Sequence, residues 1–163
     1  MPLGTTAYAM FAMPSADRAK TIESLRASPF NKLRIQPFPK NSPYTHHQPW
    51  AYPFPIRDGG SFVLGEDTDW DLGRFNLDFW REFDAVIDEL ERIPAIAEIL
   101  IFNDDDHGAW GFDRMNLNCE VGEGGRWCDH HYVRYLVARV GAFNNVWWTM
   151  TSEWQHLDEE GVK

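Results

Sequence analysis

Ile96-Ala97-Glu98-Ile99-Leu100-Ile101-Phe102 is the stretch whose reading decides the fold. It is an almost unbroken apolar run of strand length. Runs of this kind belong to buried parallel strands, which are covered on both faces. The segment before it, Phe75 to Ile93, reads as a helix. Asn76 suits its N-cap, and Phe75 and Trp80 are spaced as a hydrophobic staple. Phe79, Phe83, Val86, Ile87 and Leu90 recur at helical spacing, and Pro94 closes the element. Downstream, Asp129 can cap a second helix with Tyr132, Val133, Leu136, Val137, Val140 and Phe143 on its apolar face. Asn144-Asn145 then marks a tight turn, Val146 to Met150 a strand, and Thr151 to Trp154 the carboxyl end of that strand.

Toward the N-terminus the same alternation continues. Ser15 to Ala27 reads as a helix capped by Ser15, with Ala19, Ile22, Leu25 and Arg26 at helical spacing. Leu33 to Phe38 reads as a short strand whose end Pro37 marks, and Leu3 to Tyr8 as an earlier one. Strands alternating with helices argue for an α/β fold with parallel strands. Connections from helix to strand are short. Those from the second and third strands to the next helix are long and rich in Asp, His, Trp and Tyr. In a (β/α) barrel such loops build the active site at the carboxyl face, while the opposite face stays compact. The expectation is a partial TIM (β/α)8 barrel, about the first four β/α units, over residues 1–163. An open doubly wound sheet, which also binds ligands at strand carboxyl ends, is the alternative.

The chain has 163 residues, 44% of them hydrophobic, so it is able to bury a core. A formal net charge of −10 and an isoelectric point near 4.9 argue against nucleic acid and anionic membrane as partners. Neutral sugars are not repelled. Aromatic residues make up 15% of the chain, many of them in segments that read as loops, where they either pack inward or stack on a ligand. No apolar run reaches the ~20 residues of a membrane helix. Met1 to Met13 lack a signal peptide's basic start and apolar core, which makes cytoplasmic the default expectation. Cys119 and Cys128 are as readily two free thiols as a disulfide.

Glu153 is the leading candidate for chemistry. It follows the Trp-rich strand, and Trp148 and Trp154 beside it would desolvate its carboxyl and favour the protonated form that a general acid needs. The competing reading is an exposed glutamate at a strand end. Asp104-Asp105-Asp106-His107 matches no standard metal loop, and one of its carboxylates, Asp106, is a candidate for a sugar hydroxyl. In Cys128-Asp129-His130-His131, neighbouring residues entering a helix diverge, so they do not converge on one ion. Gly122-Glu123-Gly124-Gly125 lacks the dinucleotide fingerprint, and no cofactor or metal is expected. The loop Lys40 to Trp50 mixes flat rings with donors and acceptors, which suits carbohydrate. Lys40, Tyr44 and His46 are its candidate contacts. Trp50, Tyr52 and Phe54 are rings of which some pack and one or two touch ligand.

Several segments resemble, in order, those of the apiosidase-like family of glycoside hydrolases. They are Gly4-Thr5-Thr6-Ala7-Tyr8, Ser28-Pro29-Phe30-Asn31-Lys32, Phe38-Pro39-Lys40, Trp110-Gly111-Phe112-Asp113-Arg114-Met115, Tyr132 to Arg139, and Asn145-Val146-Trp147-Trp148 followed by Glu153. The resemblance implies a (β/α)8 barrel that hydrolyses O-glycosidic bonds with retention, using two carboxylates. It makes Glu153 the acid/base, sets Ser152 at the position of an Asn that bonds a sugar hydroxyl, and puts the nucleophile on a later strand; Trp110 and Ser152 join the candidate substrate contacts. Ser152 departs from the family's Asn, Trp154-Gln155 from its Tyr-Asp, and Asp104-Asp105 from its His or Asn followed by Pro. A non-catalytic carbohydrate-binding remnant and an inactive gene fragment are the rival readings. With one of the two carboxylates and four of eight strands, residues 1–163 alone are expected not to turn substrate over, and open barrel edges to invite self-association.

Overall fold

The computed structural model describes residues 1–8, 10–38, 49–57, 60, 62, 68–103 and 129–152. The strands are β1 (Gly4–Thr6), β2 (Lys32–Ile35), β3 (Ile96–Asn103) and β4 (Val146–Ser152). The helices are α1 (Ser15–Ala27), α2 (Leu77–Arg92) and α3 (Asp129–Val140), and a 3-10 turn occupies Met10–Ala12. All strand pairs are parallel, in the order β1-β2-β3-β4. Strands adjacent in sequence are therefore adjacent in space, with a helical crossover between each pair. A doubly wound sheet reverses its strand order at a switch point, and these strands do not. The architecture is α/β, four successive units of a (β/α)-barrel wall.

The outer face of the sheet carries Leu33, Ile35, Ala97, Ile99 and Ile101, each at most 4% exposed. They join the stripe of α2, where Phe79, Phe83, Val86, Ile87 and Leu90 are all fully buried, and Tyr132, Leu136 and Val140 of α3. Burying each such side chain contributes roughly 1.5–3 kcal/mol. The turn after β1 adds Met10 and Phe11, and the Phe11 ring stacks on Phe83 at 3.9 Å. Trp80 donates its indole N–H to Pro53 O at 3.1 Å and so ties the segment before α2 to that helix.

Some local expectations change. Pro14 takes the N-cap of α1 and Ser15 is already helical, because the fixed backbone of Pro14 offers its carbonyl to Asp17 and Arg18. Only Ile22 and Leu25 of α1 are buried; Ala19 and Arg26 are exposed. The Phe75–Trp80 staple forms, with ring centroids 6.0 Å apart, and Asn76 is the N-cap residue without a side-chain cap bond. Val137 is 43% exposed rather than part of the α3 stripe. β2 ends at Ile35, two residues before Pro37, and β4 runs on to Ser152. Among the described residues no helix is long and apolar enough to cross a membrane.

Candidate functional site

The inner face of the sheet carries a charged cluster, which the apolar run of β3 had not suggested. Register pairs Arg34 with Glu98 and Glu98 with Trp147, so these side chains share one face. Arg34 Nη2 donates to Glu98 Oε1 at 2.9 Å, and Lys32 Nζ lies 2.7 Å from Oε2. Thr149 Oγ1 donates to Oε1 at 2.8 Å. The Arg34 guanidinium, helped by the bonds from Lys32 and Thr149, overcomes the opposing effect of burial and holds the Glu98 carboxyl at about 2. The Arg34 pKa is raised in return, first by its bond to Glu98, with a smaller contribution from Tyr8. Gly4 leaves room for the Lys32 stem. A Cβ there would come within 2.8 Å of Lys32 Cε, on the path the lysine stem takes to the carboxylate.

Glu98 is the third residue of an eight-residue strand, so the cluster lies below the carboxyl edge. At that edge β3 and β4 end level, with Asn103 paired to Ser152. Glu153 is the next residue in sequence and lies outside the described residues, as do Lys40, Tyr44, His46, Asp106, Trp110 and Trp154. Of the predicted site residues, Ser152 alone is reached, as the last backbone position of β4. Trp148, one of the two tryptophans expected to shield Glu153, is 39% exposed and shares a face with Val146 and Met150, opposite Trp147, Thr149 and Thr151.

The rings after β2 divide as follows. Tyr52 and Phe54 are buried, Tyr52 within 5.3 Å of both Phe62 and Trp70, while Trp50 is 51% exposed. His131 stacks on Phe75 at 5.6 Å, and burial, with the Arg134 charge, lowers its pKa. Among the described residues no three His, Cys, Asp or Glu side chains are grouped to hold a metal ion.

Two residues at the edge were not expected. Tyr8, just past β1, is 38% exposed. Gln36, just past β2, is 2% exposed, and neither its amide nitrogen nor its amide oxygen has a hydrogen-bond partner. A buried unpaired polar group costs about 1–3 kcal/mol. The available signal was the alternation Lys32, Arg34, Gln36 against Leu33, Ile35, a period of two that sorts polar and apolar residues onto opposite faces.

The chain matches no family model and no curated protein. Among solved structures it is similar to a “putative glycoside hydrolase” from Bacteroides vulgatus ATCC 8482, with 34% identity and a TM-score of 0.77 over 96% of this chain and 29% of that one. A glycoside hydrolase family 5 structure from the same organism (TM-score 0.56, 14% identity, 92% of this chain and 28% of that one) shares the fold. So does a further glycoside hydrolase (TM-score 0.58, 14% identity, 92% and 29%). The chain spans less than a third of the length of each of these structures. Its α/β fold is that of barrel glycoside hydrolases, and its structural neighbours are glycoside hydrolases.

Proposed function

We propose that this chain carries the β1–β4 wall of an apiosidase-like glycoside hydrolase and that Glu153 is its acid/base carboxylate. The observation that carries the reading is the 34% identity with a glycoside hydrolase-type structure over 96% of this chain. The end of β4 at Ser152, level with the end of β3, is consistent with a catalytic group in the next position. In this reading Glu153 protonates the glycosidic oxygen as the bond to the anomeric carbon breaks. A second carboxylate takes that carbon, and Glu153 then removes a proton from the water that releases the sugar, with net retention. Lys40, Tyr44, His46, Asp106, Trp110 and Ser152 contact the sugar.

Glu98 is not the second carboxylate. Its oxygens already accept from Arg34, Lys32 and Thr149, and it sits well below the edge. The nucleophile comes from elsewhere in the active protein. The test is Glu153→Gln, assayed on aryl glycosides in a form of the protein that shows turnover. A loss of about 10²–10⁴-fold is expected, and wild-type turnover in the variant would sink the assignment.

A further inference from the structure

Tyr8 and Gln36 lie just beyond the ends of the β1–β2 ladder. The last register pair is Thr6 with Arg34, and Ala7 N then donates to Arg34 O at 3.0 Å. The same register carried onward sets Tyr8 level with Gln36. Two separate observations put both on the inner face. Tyr8 follows Gly4 and Thr6 in the alternation of β1, where Thr6 is the register partner of Arg34, and Gln36 follows Lys32 and Arg34 in the alternation of β2. Tyr8 offers a ring that is 38% exposed, whereas Phe11, Phe38 and Phe54 are each at most 2% exposed. Gln36 offers a neutral group with donor and acceptor both unspent, at 2% exposure.

A leucine or methionine would fill the Gln36 position without an unpaired buried amide, so the amide is kept at a cost to stability. What satisfies it must accept one hydrogen bond and donate another. Adjacent hydroxyls of a sugar do this, while the C–H face of the same sugar packs on an aromatic ring. We propose that Tyr8 and Gln36 form a sugar-binding subsite at the β1–β2 end of the barrel wall, with Tyr8 under the sugar ring and the Gln36 amide on two neighbouring hydroxyls. The class of ligand rests on the glycoside-hydrolase reading, and the position rests on the two side chains. Gln36 is covered in the free protein, so binding uncovers it and association runs below the diffusion limit.

The experiment titrates residues 1–163 with xylo-, arabino-, manno- and cello-tetraose by calorimetry. At least one binds the wild-type chain. Gln36→Leu and Tyr8→Ala each weaken that sugar about tenfold, while Tyr8→Phe, which keeps the ring, weakens it only about threefold. Gln36→Leu also raises Tm, because it removes the unpaired amide. A purely structural glutamine would show the opposite pattern, a lower Tm at unchanged Kd. If none of the four sugars binds wild type, or if both Gln36→Leu and Tyr8→Ala bind as wild type does, the subsite is overturned. Should Gln36→Leu not fold, Gln36→Met and the two Tyr8 variants decide the same question. The subsite and the catalytic reading fail separately. Unchanged Kd in these variants alongside loss of turnover in Glu153→Gln removes only the subsite. Weakened Kd alongside full turnover in Glu153→Gln removes only the acid/base assignment.

Discussion

Arg34 on β2 and Glu98 on β3 are register partners joined by a 2.9 Å hydrogen bond between the guanidinium and the carboxylate. With Lys32 and Thr149 on the same carboxylate, three strands are tied together across the inner face. Glu98→Gln keeps the size and loses the charge that two cations face. Lys32 and Arg34 retain some solvent, so the cost falls below that of a fully buried pair, at about 2 kcal/mol. Urea unfolding at pH 7 measures it, and a change below about 0.5 kcal/mol, the range of ordinary surface substitutions, would show the cluster to be ornamental.

The same carboxylate sets an acid limit. Its folded pKa of about 2 lies below the ordinary 4.5, so its contribution is complete above about pH 4.5 and fades as pH falls toward 2. The lowered pKa of His131 acts in the same direction at higher pH, since the unfolded chain takes up that proton first on acidification through 6.5. Stability measured from pH 8 downward should therefore fall in two stages. Glu98→Gln should flatten the lower stage, and His131→Phe the upper.

Gly4→Ala should act through Lys32. The added methyl meets the lysine stem at Cε and displaces the ammonium from Glu98, at a cost of about 1 kcal/mol. In a Lys32→Ala background the obstructed stem is gone and the cost should vanish. An equal cost in both backgrounds would mean that the backbone of β1, and not the lysine, resists the change.

Trp50 and Tyr52 are two residues apart and should differ sharply. Tyr52, 8% exposed against Phe62 and Trp70, should cost about 3 kcal/mol as Tyr52→Ala. Trp50, half exposed, should change stability by less than about 0.5 kcal/mol as Trp50→Ala. A sugar-binding defect in Trp50→Ala at unchanged Tm would assign that ring to ligand. Similar destabilisation in both variants would contradict the packing described.

Arg139 joins α3 to α2 with a geometry that lysine lacks. Its Nε and Nη2 each lie 2.8 Å from an oxygen of Asp84, Nε also donates to Trp80 O at 3.2 Å, and Nη1 donates to Tyr135 Oη at 2.7 Å. Arg139→Lys keeps the charge but not the planar fork, and should cost about 1–2 kcal/mol in thermal or urea unfolding.

The element order was legible because it rests on local chemistry. The α2 stripe, the Phe75–Trp80 staple and the apolar run of β3 each express a periodicity or a contact within a few residues. The α1 cap was misread because Ser15 and the preceding Pro14 both suit a helix start, and the choice between them depends on which carbonyl meets the first free N–H groups. Val137 was misread because it lies at the edge of the α3 stripe, where the packing of neighbouring elements decides exposure.

The site was legible only as an address. The amino-acid sequence by itself determined that strands alternate with helices, that long polar segments follow the second and third strands, and that Glu153 is the next residue after Ser152. These are properties of neighbouring residues, and side-chain period and loop length record them. The tertiary structure decided that Glu98, buried in an apolar run, meets Arg34 and Lys32 from 64 and 66 positions away. Those pairings depend on parallel register, which is set when whole strands dock through the core and which no local pattern encodes.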